Sequence, residues 1–380
     1  MPITSIILIF GFFLSFFLWI LVVTKRGKVV SDKILSFYFF VSALIILFAF
    51  LEIYSRKNGY IFPWTIGTST PFILLVGPLL WLYIESLTNQ KFRLKGTHLL
   101  HAIPFVLVVI LLFVRMFLLP DSVKIEMDQS EAFKKDFVFP LVVTMIALSN
   151  VGYTVWGLFL IKSYRKRIKT YFSDIDELDL SWLRFLLLSA LIFLASISLL
   201  YIVDSMLKLF TYELLQVIGF SIASVFVMVL GFFGLRQGSL FSVQTIRFDM
   251  DKAASIPIQE TNIKRDEEDF VHKLLSHMKE QKPYINPDIT IAKLSDELGV
   301  TPEYLSGILN GRLSMNFFDF INHHRIEEFK ELCKNPKNQN FTLISLAYDC
   351  GFNSKATFNR VFKKNVGVTP SEYFQGVSKS

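Results

Sequence analysis

The sequence predicts an all-α fold, in which a seven-transmembrane-helix bundle is followed by a soluble helical domain with two helix-turn-helix units. Two observations support this prediction. The chain has 380 residues, of which 52% are hydrophobic and 19% charged, and its mean hydropathy of +0.47 is too high for an ordinary soluble protein. Its apolar residues also fall in blocks of about 20 residues before position 236, and no such block occurs beyond it.

Each of seven apolar blocks is long enough to cross roughly 30 Å of hydrocarbon. The first block has no cationic start, is longer than the apolar core of a signal peptide and lacks a small-x-small cleavage site. We therefore interpret it as a true span. The predicted spans are Ile3–Val23, Ile34–Ile53, Pro71–Leu87, Ala102–Leu119, Phe137–Ile161, Leu183–Val203 and Leu214–Leu235.

Loop charges predict the orientation of these spans, because short loops rich in Lys and Arg stay in the cytoplasm. The first, third and fifth loops together carry twelve Lys and Arg, whereas the second, fourth and sixth carry six. The fourth loop also holds five Asp and Glu. We therefore expect the N-terminus outside and everything after Leu235 in the cytoplasm.

Ionisable residues within spans are costly and are therefore candidates for function. Glu52 ends the second span and Arg115 lies late in the fourth, so both are expected toward the outer leaflet. They either make structural ion pairs or extend to the interface, or they belong to a polar pocket that receives a signal. The spans contain no paired acid and base and no set of metal ligands, so we expect no enzyme, no metal site and no cofactor.

Residues 236–266 form a predicted cytoplasmic linker. They mix Gly, Ser, Pro, Asp and Gln with scattered apolar residues, and no helical period persists through them. Residues 242–248 could instead form a short strand. Proteolytic release of the following domain at this linker is a further option.

Two segments of the soluble half repeat one pattern of turn and cap residues. In the first, a short helix ends at Gly299, Thr301 caps the next helix, and apolar residues follow at 305, 308 and 309. In the second, a short helix ends at Gly351, Ser354 caps the next helix, and apolar residues follow at 358, 361 and 362. Each pattern indicates a helix-turn-helix unit, and a longer helix is predicted between them.

The last helix of the second unit has a face whose residue types suit DNA. Burial of its apolar stripe leaves a surface with four positive residues between positions 355 and 364 and no acid. Arg reads guanine bidentately, Asn can read adenine, and Lys neutralises phosphate, although an ordinary solvated basic face is the alternative. The candidate DNA contacts are Lys355, Ala356, Asn359, Arg360 and Lys363.

The stretch from Cys350 to Tyr373, CGFNSKATFNRVFKKNVGVTPSEY, combines a Gly-Phe turn, an F-x-R-x-F-K-K helix and a G-x-T-P-S-E-Y ending. Together with Arg325-Ile326 and residues 294–309, it resembles the AraC-type DNA-binding domain, over residues 269–374. The resemblance implies seven helices and two recognition helices that enter successive segments of the major groove. Carried over by position, the residues of the first unit that would face bases are Glu303, Ser306 and Gly307.

The first recognition helix departs from the commoner pattern of this family, which has Arg or Lys near position 307. We therefore expect the second unit to dominate base reading. The predicted domains are a transmembrane domain at 1–235, a cytoplasmic linker at 236–266 and an AraC-type DNA-binding domain at 267–380.

This architecture resembles a subgroup of membrane-bound bacterial regulators. The resemblance implies a sensor in the bacterial inner membrane. Because no kinase, receiver or nucleotide-binding motif lies between the two halves, we expect a one-component transcription regulator. Its expected partners are double-stranded DNA, the lipid bilayer and an unknown ligand or membrane signal. RNA polymerase and a second copy of the chain are further candidates.

The charge of the soluble half leaves a second function open. From Lys264 to the C-terminus there are sixteen Lys and Arg against fifteen Asp and Glu, so DNA binding would rely on a local patch. The alternative is a membrane sensor whose helix-turn-helix domain docks a protein partner instead of DNA.

Overall fold

A computed structural model describes residues 3–89, 91–176, 178–207, 209–240, 263–338 and 340–377. The structure is 79% helical, and its described part contains fifteen α-helices and no β-strand. The predicted all-α class is thereby confirmed. Most of the predicted linker, including the segment 242–248 considered as a strand, lies outside the described residues.

The chain divides into two compact units that do not follow its order. The first comprises the described residues within Met1–Lys162 and Leu180–Phe241. The second comprises those within Ser163–Asp179 and Ser242–Ser380. A short piece from the middle of the chain thus belongs with the C-terminal helices.

Eight α-helices begin in the described part of the first unit, and seven of them coincide with predicted spans. The remaining helix, α5, is polar and lies in the predicted fourth loop. The helices are α1 (Ile3–Thr24), α2 (Val30–Lys57), α3 (Ile73–Thr88), α4 (Ile103–Leu112), α5 (Asp121–Gln129), α6 (Val138–Tyr171), α7 (Ser181–Leu207) and α8 (Tyr212–Leu240).

Among the described residues, five helical segments are long and apolar enough to cross a membrane. Two shorter apolar segments, Ile73–Thr88 and Ser181–Ile197, coincide with the predicted third and sixth spans. The segment Ile73–Thr88 is short because the preceding residues 67–72 form turns. The count of seven spans and their orientation stay predictions. The five longer segments are Ile6–Thr24, Val30–Lys57, Gly96–Phe117, Val138–Tyr171 and Tyr212–Leu235.

Two helices of the first unit differ in detail from their predicted spans. The fourth is composite, with a 3-10 stretch before α4 and a π-helical turn, Phe113–Phe117, after it. Helix α6 continues ten residues beyond Ile161, the predicted end of the fifth span. Residues 162–171 contain no Gly or Pro and are rich in Lys and Arg, which favour a helix although they are too polar for a span.

Seven helices form the described C-terminal part of the second unit, the number that the family resemblance implies. Two short helix pairs, α10–α11 and α13–α14, are the two helix-turn-helix units, and α12 connects them. The helices are α9 (Ile263–Glu280), α10 (Ile291–Leu298), α11 (Pro302–Gly311), α12 (Phe317–Lys334), α13 (Leu343–Asp349), α14 (Lys355–Val366) and α15 (Pro370–Val377).

Helix α12 contributes to the cores of both helix-turn-helix units. Its N-terminal half supplies Phe317, Phe320 and Ile321 to a buried cluster with the apolar faces of α9, α10 and α11. Its C-terminal half supplies Phe329, whose ring centroid lies 4.8 Å from that of Phe358 on α14. Because one continuous helix fills both cores, the two units are joined by packing as well as by the chain.

The predicted turn and cap residues are confirmed in both units. Gly299 and Gly351 have φ angles of +71° and +91°, the left-handed region that favours glycine. The Thr301 hydroxyl accepts a hydrogen bond from the Tyr304 amide at 3.2 Å, and the Ser354 hydroxyl accepts one from the Thr357 amide at 3.3 Å. These caps satisfy amides at the start of α11 and α14 that have no partner within their own helix.

The two turn glycines have different surroundings. A Cβ atom at Gly351 would lie 2.4 Å from the carbonyl oxygen of Tyr284 and 2.7 Å from that of Ile285, whereas one at Gly299 would meet nothing within 4 Å. The second turn therefore needs glycine for close backbone packing as well as for its φ angle. The first needs it for the φ angle alone.

A buried guanidinium ties the connecting helix to the chain after α9. Arg325, which is 1% exposed, donates from Nε to the Tyr284 carbonyl at 2.7 Å and from Nη2 to the Asn286 carbonyl at 2.9 Å. Burial lowers the pKa of this guanidinium to about 10, so it stays charged at neutral pH. One cation thus satisfies carbonyl groups that would otherwise be buried without a donor.

Candidate nucleic-acid interface

Helix α14 presents a polar face opposite a buried apolar one. Phe358, Val361 and Phe362 are no more than 4% exposed and face α12 and α15, which orients the helix about its axis. This arrangement leaves the five residues predicted as base or phosphate contacts on the solvent side. Those exposed residues are Lys355, Ala356, Asn359, Arg360 and Lys363.

The positive charges on this face are only partly neutralised. Lys364 pairs with Asp319 on α12 at 2.8 Å, and both side chains are partly solvent-exposed. The Arg360 guanidinium donates to the Thr357 hydroxyl at 3.1 Å and lies 3.3 Å from the Asp176 carboxylate. Within the described part of the chain, no ion pair is found for Lys355 or Lys363. The face is therefore electropositive and suited to a polyanion.

Helix α11 offers different chemistry at the equivalent positions. Glu303 and Gly307 are exposed and Ser306 is half-buried, so these predicted contacts also lie toward solvent. Ser306 is engaged by Asn310, whose amide donates to the Ser306 carbonyl at 2.8 Å and to its hydroxyl at 3.2 Å. The helix contains no Lys or Arg, and Arg312, which follows it, pairs with Glu267 at 2.7 Å.

Comparison with known families agrees with this geometry. Residues 294–376 match the family profile described as a helix-turn-helix domain. The matched segment is an AraC-type helix-turn-helix domain. It contains both candidate recognition helices of the structure, α11 and α14, and the connecting helix between them.

Two relatives are similar to part of this chain. The uncharacterized HTH-type transcriptional regulator YijO of Escherichia coli (strain K12) is 31% identical over 85 residues, which are 22% of this chain and 29% of that protein. The probable transcription factor PqrA of Proteus vulgaris is 25% identical over 88 residues, which are 23% of this chain and 70% of that protein. The chain thus covers less than a third of the length of YijO.

A solved structure of a protein of unknown function from Listeria innocua is 24% identical and covers 28% of this chain and 94% of that one. Its TM-score is 0.24, too low to say anything about a shared fold. The assignment of the AraC-type domain therefore depends on the family match and on the relatives.

Glu52, one of the two site candidates in the first unit of the chain, lies in a buried polar cluster. Its carboxylate, 1% exposed, accepts hydrogen bonds from Arg56 at 2.5 Å and from the Gln216 amide at 3.2 Å. Arg56 also donates to Asp128 of α5 at 2.7 Å, and the Tyr60 hydroxyl donates to Asp128 at 2.8 Å. Every charge in this cluster has an opposite charge beside it, which is what burial requires.

Arg115, the other site candidate in the first unit of the chain, lies apart from this cluster. It belongs to the π-helical turn after α4, is about half exposed and contacts Asp136 at 3.4 Å. The structure does not pair Arg115 with Glu52. Both residues do line one cavity of about 950 Å³, whose walls are mainly apolar side chains of α2, α3, α6, α7 and α8.

Sequence reasoning missed three residues of these sites. The loop charges do not single out Arg56, although its spacing of four residues from Glu52 on one helix could have indicated the ion pair. Asp176 contacts the recognition helix from 181 residues away in the chain, and no local pattern carries such a signal. Thr357, which was not predicted as a site residue, connects Asp176 with Arg360.

Proposed function

We propose that the protein is a membrane-bound, one-component transcription regulator that binds specific DNA sequences through its AraC-type domain. The observation that carries the proposal is the exposed face of α14, where Asn359 and Arg360 lie between Lys355 and Lys363. Such a face combines groups that read base edges with groups that neutralise phosphates. The YijO and PqrA descriptions as a regulator and a probable transcription factor support the same function.

The rigid packing of α14 supports sequence-specific rather than general binding. A recognition helix must hold its side chains at fixed positions in the major groove, and Phe358 and Phe362 anchor this helix through contacts with Phe329. A protein that contacted only phosphates would not need Arg360 at a fixed position. The proposal therefore assigns base reading to Asn359 and Arg360 and phosphate contact to Lys355 and Lys363.

The proposal can be tested with the full chain in lipid nanodiscs and a duplex selected by that chain from a random-sequence pool. We expect Arg360→Ala to weaken binding and relax sequence preference at one position. We expect Lys363→Ala to weaken binding to all sequences equally and to reduce the salt dependence by about one counterion. Lys334→Ala on α12, where Glu331 pairs with the lysine, is the matched control and should leave both properties unchanged.

We also propose that the first unit of the chain spans the membrane and that its cavity of about 950 Å³ receives the signal. A cavity of this size suits a small molecule, and its mainly apolar walls favour an apolar or amphiphilic one. Glu52 and Arg115 would supply the polar contacts at its lining. The signal-sensing role of both residues remains part of this proposal.

A cavity-filling variant tests the sensing role without knowledge of the ligand. A Cβ atom at Gly219 on α8, which lines the cavity, meets nothing within 4 Å, so Gly219→Leu adds a side chain without a backbone clash. Gly152→Leu on α6 is the matched control, because Gly152 has equally open surroundings and does not line the cavity. We expect Gly219→Leu alone to alter transcription of a reporter that carries the selected duplex. Equal output from both variants would argue against the cavity.

Near-neutral charge supports one alternative, in which the AraC-type domain docks a protein. Sixteen Lys and Arg against fifteen Asp and Glu from Lys264 onward give little long-range attraction to DNA. The selection experiment decides between the two functions. If no duplex is enriched at low salt, where phosphate contacts are strongest, protein docking becomes the better hypothesis.

A further inference from the structure

Residues 171–176 come from the middle of the chain and pack against the AraC-type domain, within the same compact unit. We call these residues the docking segment. Tyr171 packs on the buried cluster around α9 to α12. Phe172 forms an antiparallel β-bridge with Thr290, the residue that caps α10. The Ser173 hydroxyl, which is buried, donates to the Ile289 carbonyl at 2.8 Å. The segment is thus anchored to the first helix-turn-helix unit by backbone and side-chain contacts.

The connecting helix α12 holds the same anchor from the other side. The Asn322 amide donates to the Ser173 carbonyl at 3.0 Å, and Arg325 Nη2 lies 3.4 Å from the Ser173 hydroxyl. Asn322 and Arg325 are no more than 1% exposed. Ser173 therefore occupies a built site, in which buried polar groups of the domain are satisfied by the docking segment.

The tip of the docking segment reaches the recognition helix α14. The Asp176 carboxylate accepts a hydrogen bond from the Thr357 hydroxyl and lies 3.3 Å from the Arg360 guanidinium. Arg360 is the residue to which the proposed function assigns guanine reading. A carboxylate at this place holds the guanidinium in its own hydrogen bonds, and its charge repels the phosphates of an approaching duplex.

From these contacts we infer that the docking segment is an autoinhibitory strap, whose Asp176 competes with DNA for Arg360 and Thr357. The inference rests on the proposed DNA-binding function and extends it to regulation. The Arg360 side chain is 50% exposed and that of Asp176 is 29% exposed, so their ion pair is a weak one that DNA can displace. The anchor at Ser173 is buried, so it keeps the carboxylate near α14 when the pair breaks.

The chain on both sides of the strap gives it a route to the membrane. Residues 163–171 are the end of α6, and α7 begins at Ser181, five residues after Asp176. Arg165 and Asp179, which lie on either side of the docking segment in the chain, form an ion pair at 3.1 Å. A change in either helix therefore acts on the strap directly through the chain, without a second messenger.

The test uses the full chain in lipid nanodiscs and a duplex selected from a random-sequence pool by the Asp176→Asn variant, in which the block is removed. We expect Asp176→Asn to bind this duplex roughly three- to tenfold more tightly than the unaltered chain, with a smaller difference at high salt. Asp174→Asn is the matched control. It removes the same charge from the same segment, and Asp174 contacts the Asp176 amide at 3.0 Å without touching α14.

Hydrogen exchange supplies a readout that simple charge removal would not change. Addition of the duplex to the unaltered chain should increase amide exchange in residues 174–176, which lie beyond the Ser173 anchor, if DNA displaces the Asp176 carboxylate from α14. Unchanged exchange in the DNA-bound chain, or equal affinities of the Asp176→Asn variant and the unaltered chain, would overturn the inference and leave DNA binding intact. Failure to enrich any duplex would overturn the proposed function, and the strap with it.

Discussion

The two helix-turn-helix units have the same local construction and different surfaces. In both, a left-handed glycine ends the first helix, a hydroxyl caps the second, and an apolar stripe faces the connecting helix α12. Yet α14 exposes Asn, Arg and Lys, whereas α11 exposes Glu303, Gly307 and a Ser306 already hydrogen-bonded to Asn310. The difference teaches that the residues which make the unit and the residues which read DNA are separate sets. The first helix-turn-helix unit keeps the residues that build the fold and lacks most of the residues that read DNA.

The largest expected effect concerns the turns. Gly351→Ala should destabilise the domain by about 3 kcal/mol or more, because the new Cβ would meet two backbone carbonyl oxygens. Gly299→Ala should cost only about 1 kcal/mol, the strain of a left-handed alanine. Hydrogen exchange of α12 amides in the full chain measures both free energies. Equal costs would show that the two turns are alike in packing as well as in shape.

The next effect concerns base reading. Arg360→Ala should weaken binding to a selected duplex by about 2 kcal/mol, and Ser306→Ala should change it by less than about 0.5 kcal/mol. The physical reason is that Arg360 can make a bidentate contact with guanine, whereas the Ser306 hydroxyl already accepts a hydrogen bond from Asn310. Fluorescence anisotropy titrations at fixed salt measure both. A larger loss at Ser306 would reverse the assigned roles of the two units.

A smaller effect separates the two cores by their response to acid. His324 on α12 packs against Tyr284 and Phe320, next to the core of the first helix-turn-helix unit. Burial lowers the pKa of His324 from 6.5 to about 4. Between these values the unfolded chain binds a proton that the folded domain does not, so stability falls as the pH falls from 6.5 toward 4. We expect a loss on the order of 1.5 kcal/mol, reduced from the full shift because the ring is partly exposed.

Hydrogen exchange of α10 and α14 amides at pH 6.5 and 4.5 measures this response, and His324→Leu is the control for the titrating group. The variant should remove the histidine contribution to the acid sensitivity of α10. If α14 amides lose protection first, the histidine does not mark a boundary between the two cores.

The smallest expected effect concerns the caps. Thr301→Ala and Ser354→Ala should each cost about 1 kcal/mol, because each hydroxyl satisfies one amide in the first turn of its helix. Similar costs would sharpen the comparison, since they would show that the two units share their construction in energy as well as in geometry. The same exchange measurement on α11 and α14 gives both values, and a difference above about 1 kcal/mol would contradict the prediction.

Local features of the sequence predicted the AraC-type domain in detail. The turn glycines, the caps at Thr301 and Ser354 and the apolar stripe of α14 all follow from short-range rules, and the structure has them where they were expected. The exposed face of α14 follows from the same stripe. Each of these features depends on residues within a few positions of one another, which is the range over which a sequence pattern carries information.

Other features depend on distant or polar residues and could not be predicted in this way. Helix α5 has no apolar block to indicate it, and the last ten residues of α6 are helical beyond the apolar span. Hydropathy detects the membrane-crossing part of a helix, not its full length. The contact of Asp176 with α14 joins residues 181 positions apart, so only tertiary packing brings it about.

The length of α6 has a mechanical consequence. Its 34 residues extend about 51 Å at 1.5 Å per residue, and the ten residues after Ile161 lie beyond the apolar span. These ten residues form a stiff lever of about 15 Å with no Gly or Pro to act as a hinge. A tilt of about 8° at the base of such a lever displaces its tip by about 2 Å, more than the length tolerance of a hydrogen bond. If α6 spans a bilayer as we propose, slight rearrangements there would be enough to change the contacts of Ser173 and Asp176.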